Sequence, residues 1–183
     1  MNIQLDIPAD VLAEQYHMSR YVVIPKLLPE DSVATLQAHT ASTETERSTC
    51  DRNANTFGQQ TFDATHAVAE FFMQANMRQL AQNLSGGAQI TDVTCWSLDY
   101  APGEFINPHK DAAGAIQALI CLRAPGSRQN GGELVVDGRA IFLTRGDAVI
   151  FEATSLVHYT TPLAATADDP SPRRTVVVGR YFL

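Results

Sequence analysis

The chain has 183 residues, a formal net charge of −7, and 45% apolar against 18% charged residues. That balance excludes a disordered chain and fits one globular unit with a sizeable core. The acidic excess argues against nucleic acid or an anionic membrane as the main partner, because both demand basic surface.

No apolar run approaches the ~18 residues of a membrane span. Met1–Asp6 is neither basic nor followed by an apolar stretch, so no signal peptide is expected. Cys50, Cys95 and Cys121 are odd in number and widely spaced, which fits neither a disulfide framework nor a zinc motif. Cys95 and Cys121 lie in apolar runs and read as core. A cytoplasmic location is expected.

The first half of the chain reads as mainly helical. Tyr21-Val22-Val23-Ile24-Pro25 is a short apolar run, and Leu27–Leu36 carries a helix start signal in Pro29, Glu30 and Asp31. Residues 40–60 are polar and predict a long loop, a candidate lid with Arg52, Asn53 and Asn55 as polar contacts. Phe62 to Leu84 repeats at helical spacing, with a break expected near Asn76 and an end at Gly86-Gly87.

From Ala88 onward the pattern is β. Ile90–Tyr100, Ala115–Leu122, Glu133–Val136, Ala140–Leu143, Ala148–Phe151, Leu156–Tyr159 and Thr175–Phe182 have strand composition, separated by Gly- and Pro-containing turns. Short strands at this spacing predict a sandwich, jelly roll or barrel. The chain therefore reads as a single domain over 1–183, with a mostly helical lead-in and lid loop over 1–87 and a β core over 88–183.

His109 and Asp111 are two apart, so an extended segment turns both side chains to one face. His158 lies at another strand end. Two imidazoles and one carboxylate hold iron(II) on one face and leave other positions open, the logic of a facial triad. His17, His39 and His66 lack partners at ligand spacing and read as surface or cap residues. Alternation on the last strand puts Arg174, Val176, Val178 and Arg180 on one face. A planar guanidinium there could clamp the far carboxylate of a 2-oxoacid. Residue types alone leave Arg173 and Arg174 both open for that clamp.

Four pieces in order carry a family resemblance. They are Tyr100-Ala101-Pro102-Gly103 followed by His109-Lys110-Asp111, Gly131-Gly132-Glu133-Leu134-Val135-Val136, Arg145–Phe151 followed by His158–Leu163, and Arg174–Gly179. Together they resemble the Fe(II)/2-oxoglutarate-dependent dioxygenases, in particular the prolyl-4-hydroxylase-like branch.

The resemblance implies a mainly β fold with N-terminal helices, a double-stranded β-helix of the jelly-roll or cupin-like kind. It implies Fe(II) on His109, Asp111 and His158, with 2-oxoglutarate and O2 as cosubstrates and ascorbate as a stimulant. It assigns Arg174 to the C5 carboxylate of 2-oxoglutarate and sets Tyr100 against the cosubstrate. Relatives with a carboxylate-binding tyrosine at the position of Cys121 differ here, and Ala164–Pro172 resembles an insertion. The carboxylate of Asp111 implies oxygenation, since halogenating relatives lack it.

The expected reaction is hydroxylation of an amino acid, a peptide side chain or another small metabolite. Trp96 shares strand parity with Tyr100, but core packing is the favoured expectation for it. Glu104 and Asn107 could touch substrate at the barrel mouth. Arg123 and Arg128 are more simply exposed loop charges. Two alternatives stand beside this reading. One is nucleic-acid demethylation of the alkylation-repair type, which the pair Arg174 and Arg180 also resembles and the acidic charge disfavours. The other is a non-catalytic jelly-roll binding module.

Overall fold

Long strands buried on both faces organise the molecule. The computed structural model describes residues 1–41, 46–50 and 55–183, with side chains described for 1–41 and 57–183. In chain order its elements are α1 (Ala9–Ser19), β1 (Tyr21–Ile24), α2 (Glu30–Ala41), β2 (Glu46–Cys50), β3 (Asn55–Phe62), α3 (Ala67–Met73), α4 (Ala75–Leu84), β4 (Asp92–Tyr100), β5 (Ile106–His109), β6 (Ile116–Arg123), β7 (Leu134–Val136), β8 (Arg139–Ile141), β9 (Ala148–Phe151), β10 (His158–Thr160) and β11 (Arg174–Phe182). No helix among the described residues is long and apolar enough to cross a membrane.

The strands form two antiparallel sheets. The major sheet has seven strands in the order β1-β9-β6-β11-β4-β3-β2, and the minor sheet four in the order β5-β10-β7-β8. On the major sheet, alternate side chains go to different cores, as the two-residue strand period requires. Ile120, Ile150 and Val177 join the helices in one core with Leu12, Leu36 and Phe72. Leu119, Val149, Val176 and Val178 face the minor sheet and meet Leu134 and Val136. Because helices cover one face and the minor sheet the other, β6 is buried from Ile116 to Leu122.

The helical expectations hold in part. α2 follows Pro29 and carries Glu30 and Asp31 in its first turn, where acids oppose the helix dipole favourably. The stretch from Phe62 does break, at Gln74, whose extended dihedrals (φ −58°, ψ 149°) separate α3 from α4. α1 had no counterpart in the sequence expectations. Cys95 and Cys121 are buried free thiols, as expected.

The predicted loop over 40–60 is a correction. β2 and β3 pair from Glu46↔Gln59 to Cys50↔Asn55, and β3 joins the major sheet by pairing with β4. Arg52 and Asn53 lie outside the described residues, as does the side chain of Asn55. The polarity of β3 has a physical cause: Phe57 enters the inter-sheet core while Gln59 lines the cavity, so no apolar stripe forms. β5 was likewise not predicted as a strand. It is four residues long and sits at the edge of the minor sheet, where Pro108 is tolerated without a ladder N–H.

Gly179 lies mid-strand on β11, between Cys95 and Ala118. A Cβ there would overlap the Phe72 ring, so α3 packs on this strand through a missing side chain. Gly179→Ala should therefore destabilise the fold by about 1–3 kcal/mol through overpacking. Urea unfolding checks this, and an unchanged midpoint would refute the packing account.

Candidate active site

The metal-type cluster is assembled by the pairing of β10 with β5. That register puts His158 opposite His109, and their rings lie 4.2 Å apart between centroids. Asp111 follows β5 and is anchored by its backbone N–H, which donates to Ala153 O at 2.9 Å. His109 Nε2 is 3.8 Å from Asp111 Oδ1, and His158 Nε2 is 3.8 Å from Asp111 Oδ2.

Both imidazoles are oriented from behind. His109 Nδ1 lies 2.8 Å from Asn107 O and His158 Nδ1 lies 3.1 Å from Leu156 O. A carbonyl can only accept, so each Nδ1 carries a proton, and in the neutral form of each ring the Nε2 lone pair is the one left for a metal. Burial pushes the His158 pKa down, which keeps the ring neutral and able to ligate. Phe151 packs its ring against His158 at 4.9 Å and fixes the plane. These three residues form a group able to hold a metal ion. Two neutral imidazoles and a carboxylate suit iron(II), with positions left for other ligands.

The cluster opens into a cavity of about 740 Å³ between the sheets. Its major-sheet wall includes Gln59, Trp96, Leu98, Tyr100, Gln117 and Arg180. Tyr100 is 1% exposed, and Thr160 Oγ1 donates to its hydroxyl at 3.5 Å. Burial raises the phenol pKa, so Tyr100 remains a neutral hydroxyl.

The two adjacent arginines separate clearly. Arg173 turns outward and pairs with Asp99 at 3.0 Å, with its side chain 37% exposed. Arg174 is the cross-strand neighbour of Tyr100, is 2% exposed, and sits with its guanidinium 5.1 Å from that ring. Among the described residues its Nη1 and Nη2 are buried with no hydrogen-bond partner. Leaving a cation so placed costs several kcal/mol unless an anion meets it. Cys121 lies in the same inter-sheet core, and burial pushes its thiol up to about 11, so it offers no anion there.

Other sequence expectations are redistributed. Trp96, favoured as core, packs against the inter-sheet core and is also part of the cavity wall, with Arg180 stacked 4.8 Å over its ring. Glu104 is buried and accepts from Ala101 N at 2.8 Å, closing the turn after β4 rather than facing the cavity. Asn107 does line the cavity. Arg123 is exposed, and Arg128 lies over Phe142 and 3.6 Å from Glu133; neither borders the cavity. His66 caps α3 by accepting from Val68 N. Gln117 and Thr160 were missed, since a lone polar residue in a strand carries no outward signal. Arg180 was missed as a site residue although strand parity already set it on the face of Arg174.

No family model matches the sequence, and no curated protein matches it. Solved structures do. A prolyl-4-hydroxylase from Pseudomonas putida aligns over 96% of this chain and 99% of its own, at 20% identity and a TM-score of 0.78. A 2OG-Fe(II) oxygenase family oxidoreductase from Burkholderia pseudomallei aligns over 100% and 95%, at 18% identity and a TM-score of 0.81. The epimerase of nogalamycin biosynthesis, solved with Fe3+, alpha ketoglutarate and nogalamycin RO, aligns over 96% and 86%, at 18% identity and a TM-score of 0.70. The chain thus has the double-stranded β-helix fold of the 2OG-Fe(II) oxygenases, with helices packed outside it.

His109→Ala and His158→Ala should each weaken binding of Co(II), a spectroscopic stand-in for iron(II), by about 100-fold or more. Titration followed by visible absorption measures this. Unchanged affinity in either variant would remove that residue from the metal set.

Proposed function

We propose that the protein is an Fe(II)- and 2-oxoglutarate-dependent dioxygenase that hydroxylates a C–H bond of an amino acid, a peptide side chain or another small metabolite. In this reaction the substrate, 2-oxoglutarate and O2 become the hydroxylated product, succinate and CO2. The reading rests above all on the buried, unpartnered guanidinium of Arg174 in the barrel that also holds His109, Asp111 and His158. A metal cluster alone would admit many chemistries. A desolvated cation beside it calls for a dianionic cosubstrate that reaches both.

The residues divide the work. His109, Asp111 and His158 would hold iron(II), which with 2-oxoglutarate supplies the oxidising chemistry when bound. Arg174 offers Nη1 and Nη2 as a planar fork to the C5 carboxylate. Neutral Tyr100 can donate its hydroxyl to a cosubstrate oxygen, and Thr160 holds that hydroxyl. Leu98, Leu119, Leu134 and Val178 exclude water from the space between clamp and cluster. Residues 1–183 act as one unit in this scheme, with Phe57 and Gln59 from the N-terminal half completing the wall. The free thiols of Cys95 and Cys121 and the need for iron(II) fit a reducing cytoplasm.

Incubation with iron(II), 2-oxoglutarate, ascorbate and O2 should yield succinate, and His158→Ala should abolish it. Arg174→Ala should raise the 2-oxoglutarate KM by an amount equivalent to about 2–5 kcal/mol, while Arg173→Ala leaves it nearly unchanged. Succinate assays across a cosubstrate titration measure both. A shifted KM in the Arg173 variant alone would move the clamp to Arg173.

A further inference from the structure

Arg180 lies six residues along β11 from Arg174, about 20 Å by strand rise, and on the same face. It is fixed from three sides. Nε and Nη2 each donate to Gln117 Oε1 at 3.1 Å. Nη2 lies 2.6 Å from Asp111 Oδ2, and the guanidinium plane rests over Trp96 at 4.8 Å. Gly114 makes room for it: a Cβ there would be 2.5 Å from Arg180 Cγ. One end of the fork is left over. Among the described residues Nη1 has no hydrogen-bond partner, and Arg180 lines the cavity with its side chain 21% exposed.

The surrounding charge points the same way. The chain carries a net −7, yet the described cavity lining has Lys110 and Arg180 as its cations and Asp111 as its single acid. That acid is already shared between Arg180 and the metal-type cluster. The remaining polar lining includes the neutral amides Gln59, Asn107 and Gln117. Asn107 Nδ2 is a further donor with no partner among the described residues. A wall of donors and cations without free acceptor charge complements an anion.

We propose that Arg180 Nη1, with Lys110 at the rim, docks a carboxylate of the primary substrate. The enzyme then acts on a small free carboxylic acid, an α-amino acid among them, in preference to neutral molecules. This inference rests on the dioxygenase reading. The same guanidinium touches Asp111, so a carboxylate on Nη1 lies close to the metal-type cluster. The C–H bond attacked is therefore only a few bonds from that carboxylate. A rigid, pre-stacked guanidinium loses little entropy on docking, which suits a compact ligand.

Trp96 is the one tryptophan of the chain and touches Arg180, so its emission reports on this subsite. The test loads the full chain with Mn(II) and saturating 2-oxoglutarate without O2. It then titrates free L-amino acids and small organic acids against their own carboxamides. Some acids should change Trp96 emission at concentrations about tenfold or more below their amides. Arg180→Gln should bring that ratio close to one, and Arg180→Lys should retain part of it. Each ratio is taken within one protein, so any weaker metal binding in a variant cancels. Parity of acid and amide in the wild-type protein, no binding by any acid, or a ratio that survives Arg180→Gln would overturn the proposal. Calorimetry of Mn(II) and 2-oxoglutarate alone separates the two levels. Failure there sinks the dioxygenase reading as well, whereas normal binding with acid–amide parity sinks only the carboxylate subsite.

Discussion

The site depends on the two-residue period of one strand. β11 lies inside the major sheet with an apolar layer on each face, so every residue must choose a side. Val177 and Tyr181 go under the helices; Arg174, Val176, Val178 and Arg180 go between the sheets. Continuous pairing with β4 from Arg174↔Tyr100 to Phe182↔Asp92 pins the register. A slip by one residue would drive both guanidinium groups into the helical core, where neither the cluster nor the cavity could meet them. Fold stability and site geometry are therefore one constraint on this strand.

Position along β11 then decides what each arginine does. Arg173, just before the strand, shares solvent with Asp99, and a half-exposed ion pair of that kind contributes little. Arg174 has no such relief. In the proposed role as a clamp, the cost of burying it unpaired is offset when an anion arrives, which would favour a ligand that brings negative charge deep between the sheets. Arg180, at the open end, is satisfied on most of its edges and spares one donor for whatever enters.

Much of this was legible in the residues, for identifiable reasons. Strands with apolar positions on both sides, such as Ala148–Phe151 and Thr175–Phe182, were visible because burial on both faces writes continuous apolar runs. His109, Asp111 and His158 could be grouped because ligand spacing of two and a downstream strand-end histidine are properties of order in the chain. β3 was not legible, because a strand that lines a polar cavity loses the apolar alternation that identifies strands. Trp96 was legible only in part. Its packing against the inter-sheet core follows from an aromatic residue in a strand, whereas its place in the cavity wall under the Arg180 cation carries no sequence signal. Residue types left Arg173 and Arg174 open, since the choice depends on where the strand begins rather than on composition.

The two sheets carry opposite halves of the chemistry. The metal-type ligands come from the minor sheet and its edge, where the pairing of β10 with β5 sets His158 opposite His109 and Asp111 follows two residues on. Tyr100, Arg174 and Arg180, the groups proposed to meet carboxylates, stand on strands of the major sheet, as does Gln117, which holds Arg180. Facing sheets pack about 10 Å apart, enough for a side chain from each and a small ligand between them. The contact of Arg180 with Asp111 joins the two halves, so the residue proposed to dock the substrate is also electrostatically tied to the metal-type cluster. In the proposed docking, substrate charge and cluster charge would thereby meet at one guanidinium. An anion docked there lowers the excess positive potential that Arg180 and a bound divalent ion would otherwise create in a low-dielectric space.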